Sequence, residues 1–307
     1  MRFRFPAWLV LLLLAAVCGG LVALVSLLRG RGASTAELLA RLPADDAILL
    51  CVDFQALRRA GVLDLLAEST LAQEPEYQAF VQQSGFDYRE RLEAVLISFH
   101  RDGNFLLLRG RFDWGSLNDF VQRQGGTCWN TFCRVAGSSP ERKISYFPAW
   151  PDVMALAVSK DEWAAARMQT RRPETGAIEV PAQPVWSVLP VGRLGAAEDL
   201  PAGTRLFAKA LGVAERIVLS AGPKGDGLEL LLEVTCRSAQ DAAALLSQLR
   251  GITATLDKLI AGEKQKPNPR DLSGVITRGL FEQHDQRVMG RWPLERAFLE
   301  TLAGGGI

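Results

Sequence analysis

The sequence predicts an α+β protein: one N-terminal transmembrane helix, then two related antiparallel sheet-plus-helix units close to a duplicated β-α-β-β-α-β, ferredoxin-like pattern. Three observations predict it. Pro6 to Leu28 is a run of 23 residues without a charge. Apolar stretches, turn residues and capped helical stretches alternate through the rest of the chain. A strand–turn–strand–helix pattern then recurs at an offset of 122 residues.

The composition fits a folded chain. Of 307 residues, 48% are hydrophobic and 22% charged, enough apolar material for a core that needs no metal or disulfide staple. Four of the 35 basic residues fall in the first 33 positions, which hold no acid, so the remainder carries 31 basic against 34 acidic groups, a net charge of −3. A slightly acidic body without a Lys/Arg cluster argues against nucleic acid as a partner, because phosphate binding needs a concentrated basic face.

Residues 1–33 read as a signal-anchor. At about 1.5 Å per residue, the uncharged run makes a helix of roughly 34 Å, enough to cross a hydrocarbon core of about 30 Å. Trp8 fits an interfacial anchor, and arginines close both ends: Arg2 and Arg4, Arg29 and Arg31. A cleaved signal peptide has an apolar core of only about 7–15 residues. A lipoprotein signal wants a small residue before its cysteine, whereas Ala15-Ala16-Val17-Cys18 places Val17 there. The bilayer is therefore the expected partner of residues 6–28. The arginine flanks nearly tie on orientation. The body is expected outside, in the periplasm, partly on the strength of the cysteines.

Those cysteines are Cys51, Cys128, Cys133 and Cys236, besides Cys18. In Cys128-Trp-Asn-Thr-Phe-Cys133, a two-residue turn at Asn130-Thr131 sets Trp129 opposite Phe132 and Cys128 opposite Cys133. Opposed positions of that kind lie within disulfide range, so Cys128 and Cys133 are a candidate disulfide, which implies an oxidising compartment. The alternative is two reduced thiols. Zinc is not expected, since His100 and His284 are the only histidines and no second cysteine pair accompanies the first. Cys51 and Cys236 read as small core residues.

The first unit, 34–176, opens on the capping box Ser34-Thr-Ala-Glu37. A strand follows at Ala47–Val52, then a helix capped by Asp53 and a second helical stretch over Glu76–Gln83. Ala94–Phe99 and Phe105–Phe112 form a hairpin around Asp102-Gly103. Ser116 is expected to cap the next helix. The cysteine hairpin comes next, followed by strands at Lys143–Phe147 and Val153–Val158 and a helix opened by Ser159-Lys-Asp-Glu162. Arg171–Pro184, with three prolines and a glycine, is the expected linker. The second unit, 177–307, starts with a strand at Val185–Leu189 and a helix at Pro201–Leu211. Leu92–Ser98 matches Ala214–Ser220, Gly103 matches Gly225, and Ser116 matches Ser238. After Ser238, Ala242, Leu245, Leu246, Leu249, Ile252, Leu256, Leu259 and Ile260 trace one helical face expected to be buried. A hairpin over Val275–Gln283 and Gln286–Trp292 and a helix opened by Pro293 complete the chain. Helices are expected on one face of each sheet. Convergence of common hairpin-plus-helix patterns is the alternative to duplication.

No catalytic, cofactor or metal motif is found. The chain holds no nucleophile elbow, zinc helix, P-loop or Rossmann turn. Gly222–Gly227 joins two strands, which makes it a hairpin turn. His100 with Asp102, and His284 with Asp285, sit at expected hairpin tips, which are poor places for proton transfer. A pair of carboxylates distant in sequence stays open. The aromatic stretch from Trp129 to Trp163 is the unusual segment. Trp129, Phe132, Phe147 and Trp150 are a candidate interaction strip, with core filling as the plainer reading.

Leu42-Pro43-Ala44-Asp45-Asp46-Ala47, leading into a strand and a helix near Asp53, resembles the opening of bacterial membrane-anchored or periplasmic proteins of unknown function. Asp271-Leu-Ser-Gly274 and Gly290-Arg-Trp-Pro293 add to the likeness. The resemblance implies repeated α+β units and an envelope location, and it carries no catalytic residue over. The expectation is a non-enzymatic, single-pass, extracytoplasmic protein that binds a partner or supports an envelope assembly. The alternatives are a carboxylate-dependent hydrolase of envelope polymers and a binding protein for an apolar ligand.

Overall fold

A computed structural model describes residues 33–63, 74–139, 141–170, 179–191, 202–225, 227–262 and 266–303. The expected anchor at 6–28 and the first part of the expected linker lie outside the described residues. Among the described residues, no helix is long and apolar enough to cross a membrane.

The first half runs α1 (Thr35–Leu39), β1 (Ile48–Asp53), α2 (Phe54–Arg59), α3 (Pro75–Ser84), α4 (Tyr88–Arg91), β2 (Leu92–His100), β3 (Gly103–Gly110), α5 (Trp114–Arg123), β4 (Thr127–Trp129), β5 (Phe132–Ala136), β6 (Lys143–Trp150), β7 (Val153–Ser159) and α6 (Ala164–Thr170). The second half runs β8 (Val185–Leu189), α7 (Ala202–Ala210), β9 (Ala214–Lys224), β10 (Gly227–Cys236), α8 (Ala239–Gly262), α9 (Leu272–Ile276), β11 (Leu280–His284), β12 (Arg287–Leu294) and α10 (Arg296–Ala303). The mixed α+β expectation holds.

Several caps form where the sequence places them. Ser34 Oγ accepts from Glu37 N at 3.2 Å while Glu37 Oε2 accepts from Ser34 N at 2.6 Å. Asp53 accepts from Ala56 N at 2.7 Å, and Ser238 from Asp241 N at 3.0 Å. Others differ. The cap of α5 is Asp113, which accepts from Ser116 N at 3.1 Å, so Ser116 lies within the helix. Ser159 ends β7 and donates to the Asp102 carbonyl at 2.6 Å, and α6 starts only at Ala164. Val275 is helical, because Asp271 accepts from Ser273 N at 2.8 Å and opens α9. Pro293 belongs to β12, not to the last helix. The pairing of β12 with β11 stops at Arg291, so Pro293 has an open side where its missing N–H breaks no ladder.

All twelve strands form one antiparallel sheet in the order β11-β12-β10-β9-β8-β1-β2-β3-β7-β6-β5-β4. The halves meet where β1 pairs with β8, Cys51 opposite Trp186. Outward from that seam, β1-β2-β3-β7-β6 and β8-β9-β10-β12-β11 repeat one order, so β2 and β9 hold corresponding places. The matched glycines correspond too. Gly103 and Gly225 both take positive φ, 143° and 62°, in the turn regions of the two hairpins. A Cβ on Gly103 would meet the Val158 carbonyl oxygen at 2.5 Å. The order is not the split one of a ferredoxin-like unit. β1 and β2 are direct antiparallel neighbours, with no strand between them.

The layers also differ from a sheet with helices on one face. In the first half, Leu49, Leu96, Leu107 and Val153 pack under α1 and α6, joined by Trp186 of the neighbouring β8. On the opposite face, Tyr146 and Met154 pack under Leu117 and Val121 of α5, with Phe80 of α3 beside them. In the second half, α7 to α10 share one face and cover Ile217, Leu232, Val234, Val288 and Trp292. The other face there carries cross-strand ion pairs, Arg287–Glu233 at 3.0 Å and Arg291–Glu282 at 2.7 Å. The apolar stripe of α8 is only partly used. Ala242, Leu245 and Leu249 are buried, but Leu259 is 60% exposed, because the C-terminal half of the helix runs beyond the core.

Candidate functional site

The aromatic segment gathers at the outer edge of the first half. β4 and β5 pair with Cys128 opposite Cys133 and Trp129 opposite Phe132. Asn130 turns the chain in the left-handed region, φ 54°, which Asn tolerates better than most residues. Cys128 and Cys133 are bonded, with Cα atoms 4.1 Å apart. Because side chains alternate along a strand, the sulfurs point to one face and the aromatics to the other.

On the sulfur face, Cys133 is fully buried and pairs in register with Tyr146. Tyr146 donates to Asn118 Oδ1 at 3.0 Å, and burial pushes its hydroxyl up to about 12. This face anchors the hairpin to the core. On the aromatic face, the Phe132 ring lies 6.4 Å from that of Phe147 and 5.1 Å from that of Trp163, nearly parallel to both. The Arg134 guanidinium sits 4.5 Å from the Trp163 ring centroid and pairs with Glu162 at 2.6 Å. Trp129 is 76% exposed and Trp163 46%.

The four strip residues therefore divide. Trp129 projects into solvent, Phe132 is half-buried behind it, and Phe147 is a core residue of β6. Phe147–Trp150 ends β6, and a bulge between Pro148 and Trp150 turns the Trp150 side chain back toward the face of Phe147. Trp150 is half-buried, with Arg41 5.8 Å from its ring centroid. Trp163 and Arg134 belong to the same surface. The proximity of Trp163 in sequence is a weak pointer to it, and nothing in the sequence links it to Arg134.

The remaining candidates lie elsewhere. His100 Nδ1 is 3.5 Å from Asp102 Oδ2. They border a cleft of about 1040 Å³ at the end of the sheet, shared with Glu141, Lys160, Asp161 and Arg167. The other two carboxylates of that cleft meet cations, Glu141 with Lys160 at 2.9 Å and Asp161 with Arg167 at 2.7 Å. His284 faces Glu282 at 3.8 Å rather than Asp285, because residues two apart share a strand face. Cys51 and Cys236 are buried free thiols. Burial, with Asp53 second, pushes the Cys51 thiol up to about 12, which leaves it unreactive. Among the described residues, no group of three or more His, Cys, Asp or Glu is placed to hold a metal ion.

No family model matches the sequence, and no curated protein does. Solved structures of TP0453 share the fold. Its crystal form III aligns with a TM-score of 0.52 at 10% identity, covering 86% of this chain and 97% of that one. Its crystal form I aligns with a TM-score of 0.51 at 13% identity, covering 88% and 99%. At such identity the likeness concerns the fold alone.

Proposed function

We propose that this chain is a single-pass membrane protein with an extracytoplasmic body, and that the body is a non-enzymatic binding module gripping an envelope protein partner around Trp129. One observation carries the reading: a tryptophan 76% exposed on a hairpin closed by a disulfide. Tryptophan is enriched among the residues that dominate binding energy. A hairpin already fixed by a covalent bond and a buried base loses little conformational freedom on docking. Half-buried Phe132 and the Trp163–Arg134–Glu162 group give the apolar centre a polar margin, as interfaces have. The disulfide supports an oxidising compartment and hence a body outside the cytoplasm, and residues 6–28 supply the bilayer contact. The common strand order and the 122-residue match support descent of both halves from one duplicated unit.

Photo-crosslinking in intact cells tests the reading. A crosslinking residue at position 129 is expected to trap one partner that a crosslinker at exposed Val180 does not. Trp129→Ala is expected to weaken that partner by at least about 2 kcal/mol, roughly 30-fold, with the melting curve unchanged. Protease added to spheroplasts is expected to digest the body. Identical crosslinks from both positions refute the Trp129 site, and a protected body refutes the location.

A further inference from the structure

A second concavity of the first half lies on the face covered by α1 and α6. Its volume is about 240 Å³. Leu107 of β3, Phe147 of β6, Ala155 of β7 and Met168 of α6 form walls that are themselves buried in the core, so their positions are fixed. Ala149, Trp150, Gln169 and Arg41 complete the lining. Arg41 follows α1 and reaches the cavity from a distant part of the chain. Its Nη1 donates to the Gln169 carbonyl at 2.5 Å, and its guanidinium lies over the Trp150 ring. Those two contacts orient the group and leave most of its five N–H donors free. Among the described residues, Arg41 has no carboxylate partner.

We propose that this cavity binds a small aromatic carboxylate, its ring against Phe147, Trp150 and Met168 and its carboxylate on Arg41. Three features point to that class. A cavity of about 150 Å³ holds one benzene ring, so a concavity of about 240 Å³ has room for a ring with a short side chain. Its walls offer aromatic faces and a thioether, which make favourable contacts with an aromatic ring. Its single charged lining group is a guanidinium, whose planar fork matches a carboxylate with two parallel hydrogen bonds. The site adjoins the Trp129 surface through Phe147, but its proposed ligand does not touch Trp129.

The test uses the full chain in detergent, with phenylacetate as the probe and saturation-transfer NMR as the readout. Phenylacetate is expected to receive saturation and to bind at least tenfold more tightly than phenylacetamide, its neutral isostere. Arg41→Gln is expected to abolish the preference for the acid. Ala149→Leu, which fills the cavity while keeping Arg41, is expected to remove binding of both probes. Circular dichroism melts check that each variant is folded. Absence of transfer to phenylacetate, equal affinity for acid and amide, or unchanged binding in Ala149→Leu each overturns the proposal.

Discussion

Reducing the bond between Cys128 and Cys133 separates the hairpin's covalent closure from its packing. The two cysteines are five positions apart, so they close a loop of six residues. The chain-entropy relation gives about 2 kcal/mol for so short a loop. For a folded unit of this size, 1 kcal/mol moves the melting temperature by roughly 2–4 °C, so reduction is expected to lower it by about 4–8 °C if unfolding stays cooperative. The hairpin is nevertheless terminal in the sheet: β5 pairs with β6, and among the described residues no strand lies beyond β4. Local opening of β4 would shrink the global shift while stripping hydrogen-exchange protection from the hairpin amides. Reduction of the native chain is the cleaner perturbation. A Cys133→Ala change would add a cavity beside Tyr146, at about 1 kcal/mol. Calorimetry with and without dithiothreitol, with thiol labelling to confirm reduction, gives the first number, and exchange mass spectrometry gives the second. A verified reduced protein with an unmoved melt and unmoved exchange at 128–133 refutes the reasoning.

The uneven burial of α8 predicts that Leu245→Ala costs about 2–5 kcal/mol, whereas Leu259→Ala costs under about 0.5 kcal/mol; urea titration of both variants measures the contrast. Asp87 accepts from Arg89 and from the Tyr77 hydroxyl at 3.0 Å, and those bonds, Arg89 first, hold its carboxyl below the ordinary range. Its folded value lies below its unfolded one, so its stabilisation is full above the unfolded value near pH 4 and is lost as pH falls through the folded value. Asp87→Asn is therefore expected to flatten the acid limb of the stability–pH profile and leave the alkaline limb unchanged. Finally, a chain beginning at Gly32 is expected to be soluble with one cooperative melt, because the described residues from Ala33 onward build packed cores with one another; aggregation of that chain would contradict it.

Local features were legible in the sequence where a few adjacent residues decide them. The Ser34 box, the Asp53 cap and the turns at Asp102-Gly103 and Asn130-Thr131 each depend on two to four positions. Register and sheet order depend on partners many residues away, and no local pattern names β8 as the neighbour of β1. The double cover of the first half did leave a trace. Phe105-Leu-Leu-Leu108 and Val153–Val158 are unbroken apolar runs, as strands buried on both faces require, whereas Glu229, Glu233 and Arg287, Arg291 alternate with apolar residues on strands covered on one face. The hairpin that carries Trp129 was legible, but the exposure of Trp129 was not, since core filling was the plainer reading of the aromatic strip. Nor was the Arg41–Trp150 contact, because it forms only when α1 closes over β6.

The halves share a strand order, yet among the described residues the first half carries elements that the second does not. α1 and α6 cover its second face, and the β4–β5 hairpin lengthens its free edge. In the second half, the corresponding face holds paired charges and its edge ends at β11, where Arg250 of α8 donates to the Phe281 carbonyl at 2.8 Å. A side chain that occupies an edge carbonyl removes one point at which another strand could pair. Both proposed sites arise from the additions: Trp129 stands on the extra hairpin, and the Arg41 cavity exists only because α1 and α6 roof that face. The second half extends the sheet, and the first half, on the same strand frame, carries both proposed sites.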